Sequence, residues 1–175
     1  MNTEHTSSIT TLKSKILILE QRIKELEITE KNYHRSEQIQ SALYRIADAA
    51  YSAADMKALY KILHEIVDQL IFAKNFAIAL FDKKQGVLTW PYFVDEFDPY
   101  PSPRKLRKGL TEEVLTTGKP LVISPETFKR MVEQGKVDLV REPLSFWLGV
   151  PLQKNGDIFG VLSVQSYSED FRYSR

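Results

Sequence analysis

The chain has no cysteine. That absence removes disulfides, thiolate metal sites, cysteine nucleophiles and thioether-linked chromophores together. An excess of one charge is missing as well. Lys and Arg number 24 against 23 Asp and Glu, a formal net charge of +1, and no basic stripe interleaved with aromatics points to nucleic acid. The longest apolar runs are too short to cross a membrane. The opening MNTEHTSSITT lacks the basic-then-apolar order of a signal peptide, so a cytoplasmic location is the expectation. Catalytic motifs are absent too. No HExxH, CxxC, P-loop or GxSxG occurs, and His5, His34 and His64 lie far in sequence from any glycine-rich turn. Glu112 and Glu113 are adjacent carboxylates, but consecutive helical positions point about 100° apart and cannot act on one substrate atom. They read as partners of a helix dipole, and no enzyme is expected.

What remains is 175 residues with 43% hydrophobic content, enough for one domain and an appendage. The appendage opens the chain. Ile9, Leu12, Ile16, Leu19, Ile23 and Leu26 alternate spacings of three and four, with isoleucine at every a position and leucine at every d. That choice favours a parallel two-stranded coiled coil. Lys15 at g then faces Glu20 at e of a partner chain, and Arg22 faces Glu27, both attractive. The competing reading is an amphipathic helix packed on its own domain, with Leu17 and Ile18 outside the seam. The homodimer is the preferred expectation. The seam fails at Glu30 and Tyr33 and resumes out of phase at Ile39, Leu43, Ile46 and Ala50, which marks a handover from coil to domain. Ser36 either caps a new helix or lies within one that runs through. The division expected is a coiled-coil helix over 1–35 and a domain over 36–175.

Asp55 is the N-cap of a helix over 56–70, with Leu59, Ile62, Leu63, Ile66 and Leu70 as its buried stripe and His64 beside it as a structural residue. Strands follow over 76–81 and 87–94, joined by a hairpin loop. Pro91 has no N–H for a ladder, which predicts an edge strand or a bulge there. The stretch 95–108, DEFDPYPSPRKLRK, has no regular period, as expected of a lid or mobile segment. Gly109 opens a helix with Glu112 at its third position and Gly118 at its end. A short strand over 121–123 leads into a helix over 126–134, capped by Ser124 with Pro125 at its first position. A linker through Pro143 reaches the most informative stretch, 146–167.

That stretch, FWLGVPLQKNGDIFGVLSVQSY, sets two β-runs about Asn155-Gly156, a dipeptide suited to a type I′ hairpin turn. Counting outward pairs Leu152 with Phe159, Val150 with Val161, Leu148 with Ser163 and Phe146 with Gln165. Gly149 and Gly160 then share the opposite face and leave it shallow for a helix. Both faces are largely apolar, so the sheet is covered on both sides. Ser163 and Gln165 are polar groups on an otherwise apolar strand, and they need partners in the backbone, in water or in a ligand.

The same hairpin, together with GLTEEVLTTGKPLVI over 109–123, resembles the GAF domain, the small-molecule-sensing module of bacterial multidomain signalling proteins. The likeness covers 36–175. It implies an α+β fold with a central antiparallel sheet of five or six strands and helices on both faces. It also implies a homodimeric relay to a histidine kinase or diguanylate cyclase output. Relatives of this fold that reduce free methionine sulfoxide need cysteine, as phytochrome-type chromophores usually do. The Asn-Lys-Phe-Asp-Glu signature of cyclic-nucleotide binders has no counterpart. GAF domains normally close with a further helix, so the chain is expected to be cut from a longer protein.

Two readings of function follow. In one, the face with Phe146, Ser163 and Gln165, roofed by Trp90, Tyr92, Phe93 and the basic loop of Arg104, Lys105 and Arg107, binds a small ligand, with the cations favouring an anion. No cofactor, metal, nucleic acid or membrane contact is expected. In the other, the domain fills its own pocket and only dimerises and relays.

Overall fold

The computed structural model describes residues 2–138 and 146–168, with side chains from Leu12 onward. They form two compact units, Met1–Arg45 and Ile46–Arg175. One helix, α1 (Asn2–Ser52), runs without a break or a restart at Ser36. In the first unit the seam residues Leu12, Ile16, Leu19, Ile23 and Leu26 are each more than half exposed.

The second unit is built on a six-stranded, wholly antiparallel sheet. After α2 (Met56–Leu70) come β1 (Asn75–Asp82), β2 (Val87–Val94), β3 (Arg104–Lys105), α3 (Leu110–Thr117), β4 (Leu121–Ile123), α4 (Pro125–Glu133), β5 (Phe146–Lys154) and β6 (Asp157–Ser166). The strand order is β3-β2-β1-β6-β5-β4. Local chemistry sets the helix ends. Asp55 Oδ1 accepts the Ala58 N–H at 2.8 Å, and Ser124 Oγ accepts the Thr127 N–H at 3.3 Å. Gly118 closes α3 in the left-handed region.

One sheet face meets α2, where Tyr60, Leu63 and Val67 pack with Ala73, Phe76, Ile78 and Val164. His64 joins this layer as a structural residue. Its ring stacks on Phe76 at 4.6 Å, Nε2 lies 2.7 Å from the Ala73 carbonyl and Nδ1 lies 3.0 Å from the Tyr92 hydroxyl. A carbonyl only accepts, so in the neutral ring Nε2 carries the proton and Nδ1 accepts from Tyr92. The other face carries α3 and α4 over Leu110, Val114, Ile123, Met131, Val137, Trp147 and Val161.

Two bulges decide which side chain faces which layer. In β2 the register slips at Trp90–Pro91, two residues facing Ala79. Pro91 has no N–H to lose there. The slip turns Trp90 and Phe93 to the α3/α4 face and leaves Tyr92 on the α2 face. The second bulge corrects the hairpin register. Asn155 (φ 54°) and Gly156 (φ 83°) make the expected turn, and Lys154 pairs with Asp157 and Gln153 with Ile158. Leu152, however, pairs with Gly160, so Phe159 is the extra residue. Beyond it every expected pair moves by one: Val150 faces Leu162, Leu148 faces Val164 and Phe146 faces Ser166.

A slip of one exchanges the faces. Gln165 and Ser163 therefore lie beside Trp147 and Gly149, not beside Phe146 and Leu148. Gly149 and Gly160 fall on opposite faces, and neither admits a helix. The Trp147 ring fills the space of a Cβ at Gly149, while one at Gly160 would meet the Ala79 carbonyl at 2.5 Å. Residues 143–145, including the linker proline, and the closing segment 171–175 lie outside the described residues.

Candidate ligand cavity

Between the α3/α4 face and the segment 95–108 lies a cavity of about 1100 Å³. Trp90, Phe93, Phe97, Tyr100, Phe128, Trp147 and Tyr167 supply aromatic walls, with Leu110, Val137 and Gln165 completing the interior. Both tryptophans of the chain line it. The rim carries Arg107 and Lys108 together with Asp98 and Asp138.

Asp95 builds the end of the cavity near β6. Its Oδ1 accepts the Phe97 and Asp98 N–H groups at 2.9 and 2.7 Å, an Asx turn that starts the covering segment. The Tyr167 hydroxyl donates to the same carboxylate at 2.8 Å. Gln165 Nε2 donates to Asp95 Oδ2 and to the Tyr167 hydroxyl at 2.7 Å. Both donor hydrogens of the amide are used.

Glu112 builds the other end. Part of the first turn of α3, as the sequence predicts, it nonetheless points inward and is 5% exposed. Its Oε1 takes the Arg104 guanidinium and the Arg107 N–H at 3.0 Å. Arg104 in turn lies over the Trp90 ring at 5.1 Å, a cation–π contact. Lys105 reaches back to the Gln85 carbonyl. Of the residues expected at the site, the structure gathers Trp90, Phe93, Arg104, Arg107 and Gln165. Tyr92 and Phe146 belong to the α2 face, and Ser163 shares the cavity's face without lining it. Phe97, Tyr100, Phe128, Trp147, Tyr167 and Glu112 were missed. Glycine in place of a capping Ser or Thr three residues before Glu112 was the one available signal: that side chain reaches past its own N-cap to Arg107. Among the described residues no group of three metal-type ligands occurs, and no helix is long and apolar enough to cross a membrane.

The GAF domain family profile matches residues 53–175, and the chain belongs to that family. GAF domains are generally sensory or regulatory and generally non-catalytic. Solved structures share the fold. The GAF domain of A. aeolicus nlh2 in an inactive state is 16% identical over 81% of this chain and 83% of its own, with a TM-score of 0.58. That of an Acinetobacter phosphoenolpyruvate-protein phosphotransferase is 18% identical over 75% and 77%, at 0.57. Free methionine-R-sulfoxide reductase from Neisseria meningitidis, in complex with its substrate, is 15% identical over 73% and 72%, at 0.56. No curated protein matches the chain.

Proposed function

We propose that this GAF domain is a non-catalytic sensor that binds a planar aromatic or heteroaromatic small molecule. Two copies pair through the N-terminal coiled coil and relay occupancy to a histidine kinase or diguanylate cyclase output. The observation that carries the ligand reading is the set of seven aromatic side chains about a cavity of about 1100 Å³, with the Gln165 amide in its lining. Large apolar walls with a few convergent polar groups favour a flat ligand. Charge contributes less. Arg104 is held by Glu112 and Trp90, and Lys105 by Gln85. Among the described residues an anion therefore meets only Arg107 and Lys108, with Asp98 and Asp138 on the same rim. The coil reading rests on the exposed Ile/Leu seam and on the attractive Lys15–Glu20 and Arg22–Glu27 pairings across a parallel dimer.

Native mass spectrometry of the purified protein, followed by melting across a library of heterocycles and small anions, tests the ligand reading. A true ligand at a hundredfold excess over its Kd stabilises by about 2.7 kcal/mol and perturbs the emission of Trp90 and Trp147. Heterocycles are expected to act and inorganic anions not to. A protein that purifies empty and that no compound shifts would be a ligand-free dimerisation and relay scaffold.

A further inference from the structure

The segment over the cavity is held as a strap between two carboxylates. At its start Asp95 takes two backbone N–H groups of the strap and two side chains of the β6 end. At its far end Glu112 takes the Arg104 guanidinium and the Arg107 N–H. Between these anchors Pro99, Pro101 and Pro103 fix their own φ and keep the residues before them extended, so the strap is stiff along its middle. It packs thinly. Phe97 and Tyr100 are 69% and 62% exposed, although Phe97 meets Tyr167 edge-on and Tyr100 meets Phe93. Between the anchors the strap is also tied to the sheet, by the pairing of β3 with β2 at Arg104 and Lys105 and by the Tyr100 hydroxyl, which donates to the Trp90 carbonyl. Arg104 belongs both to β3 and to the Glu112 contact, so loosening that contact loosens the strap where it meets the sheet edge.

The Glu112 anchor has the marks of a stressed contact. Its carboxylate is buried, yet Oε2 has no hydrogen-bond partner among the described residues, a cost that a free helix surface position would not carry. The absence of a side chain at residue 109 leaves the carboxylate its present position, and a Cβ would make it shift. A Cβ there would stand 2.4 Å from Glu112 Oε2, although the backbone at φ −124° suits any residue. Through Arg104 this carboxylate also sets the cation over Trp90, in the cavity wall.

We propose that Glu112 is the latch of this proline-stiffened lid: its grip on Arg104 and on the Arg107 N–H keeps the far end of the strap down over a cavity that is partly open to solvent, and release of that grip loosens the strap and widens the entrance for a ligand. The lid's purpose rests on the cavity being a ligand site, but the latch itself is tested without any ligand.

The strap carries four trypsin sites, at Arg104, Lys105, Arg107 and Lys108. Glu112→Gln preserves the shape of the latch and removes its charge. Strap cleavage is expected to quicken about tenfold, the loss of one charge-assisted anchor from the closed state. In a Trp147→Phe background, acrylamide quenching of Trp90 is expected to rise in parallel. Gly109→Ala changes no charge but displaces the carboxylate, and it should reproduce both effects. Cleavage at wild-type rates in both variants would overturn the latch. So would acceleration spread evenly over sites outside the strap, which signals global unfolding.

Wild-type hydrogen exchange keeps the proposal refutable even if neither variant folds. The Phe97, Asp98 and Arg107 amides must exchange well before β5 and β6. If they exchange only with the sheet, the strap does not open by itself and the proposal fails. Adding indole as a probe is a separate arm: protection of the strap supports the ligand site, and its absence counts against that site without touching the latch.

Discussion

Asn75→Ala is the sharpest test of how the fold positions the cavity. Asn75 opens β1 and is fully buried. Its Oδ1 accepts the Glu96 N–H at 2.8 Å, and its Nδ2 donates to the Gln165 carbonyl at 3.1 Å and to Glu96 Oε2 at 3.3 Å. One side chain thus ties the end of β2, just before the strap, to the residue of β6 that reaches the cavity. Truncation strands one backbone donor and one backbone acceptor, each costing about 1–3 kcal/mol when buried. Glu96 is exposed, so water relieves its N–H in part and the Glu96 carboxylate bond is worth little. The Gln165 carbonyl meets the fully buried Asn75 side chain and bears most of the loss. The total comes to about 3 kcal/mol, or a fall in Tm of about 10 °C. Urea unfolding followed by tryptophan emission isolates the GAF unit, because Trp90 and Trp147 both lie in it. The midpoint should drop with m unchanged. A loss below about 1 kcal/mol would show that these bonds exchange freely with water and that Asn75 clamps nothing.

Three further outcomes are expected. Gln165→Leu deletes the two donors to Asp95 and Tyr167, and the free protein should lose about 1–3 kcal/mol. If the amide also serves a ligand, the thermal shift from that ligand should shrink as well, whereas an unchanged shift would remove Gln165 from the site. Ile16→Lys sets a charge against its own copy at an a position of a parallel dimer, and sedimentation equilibrium should show the dimer weakened. An undiminished dimer would mean that the coil does not hold the chains together. The Tyr92 phenol is pushed above its ordinary 10.0 by burial, reinforced by the negative charge of Glu65. The folded state therefore keeps that proton longer than the unfolded chain does. The stability it contributes is whole below pH 10 and drains away as pH rises through the raised value. Tyr92→Phe should flatten that alkaline decline, and an equally steep decline in the variant would assign it to other groups.

Features governed by neighbours a few residues apart were legible in the chain alone. Asn155-Gly156 forms its turn because both residues accept positive φ. Asp55, Ser124 and Gly118 end their helices where their side chains, or the lack of one, satisfy the nearest free backbone groups. Pro91 announced an edge strand or a bulge because it has no N–H to pair, and of the two the bulge is what forms. The alternation of the β-runs and the motifs about the hairpin were enough for an antiparallel GAF fold with helices on both faces.

What the chain alone left undetermined depends on partners far away in sequence. The bulge at Phe159 has no local signal. It appears where β6 must pair with β5 on one side and with β1 on the other, and its single extra residue moved Gln165 from the face of Phe146 to that of Trp147. Glu112 followed the same logic. On an isolated helix it is a solvated first-turn carboxylate, and only the return of Arg104 along the edge of β2 makes it a buried anchor. Side-chain periodicity fixes which residues share a face only until a bulge intervenes, and burial of a charge depends on which distant cation arrives to meet it. For both reasons the cavity's membership was decided by the tertiary structure.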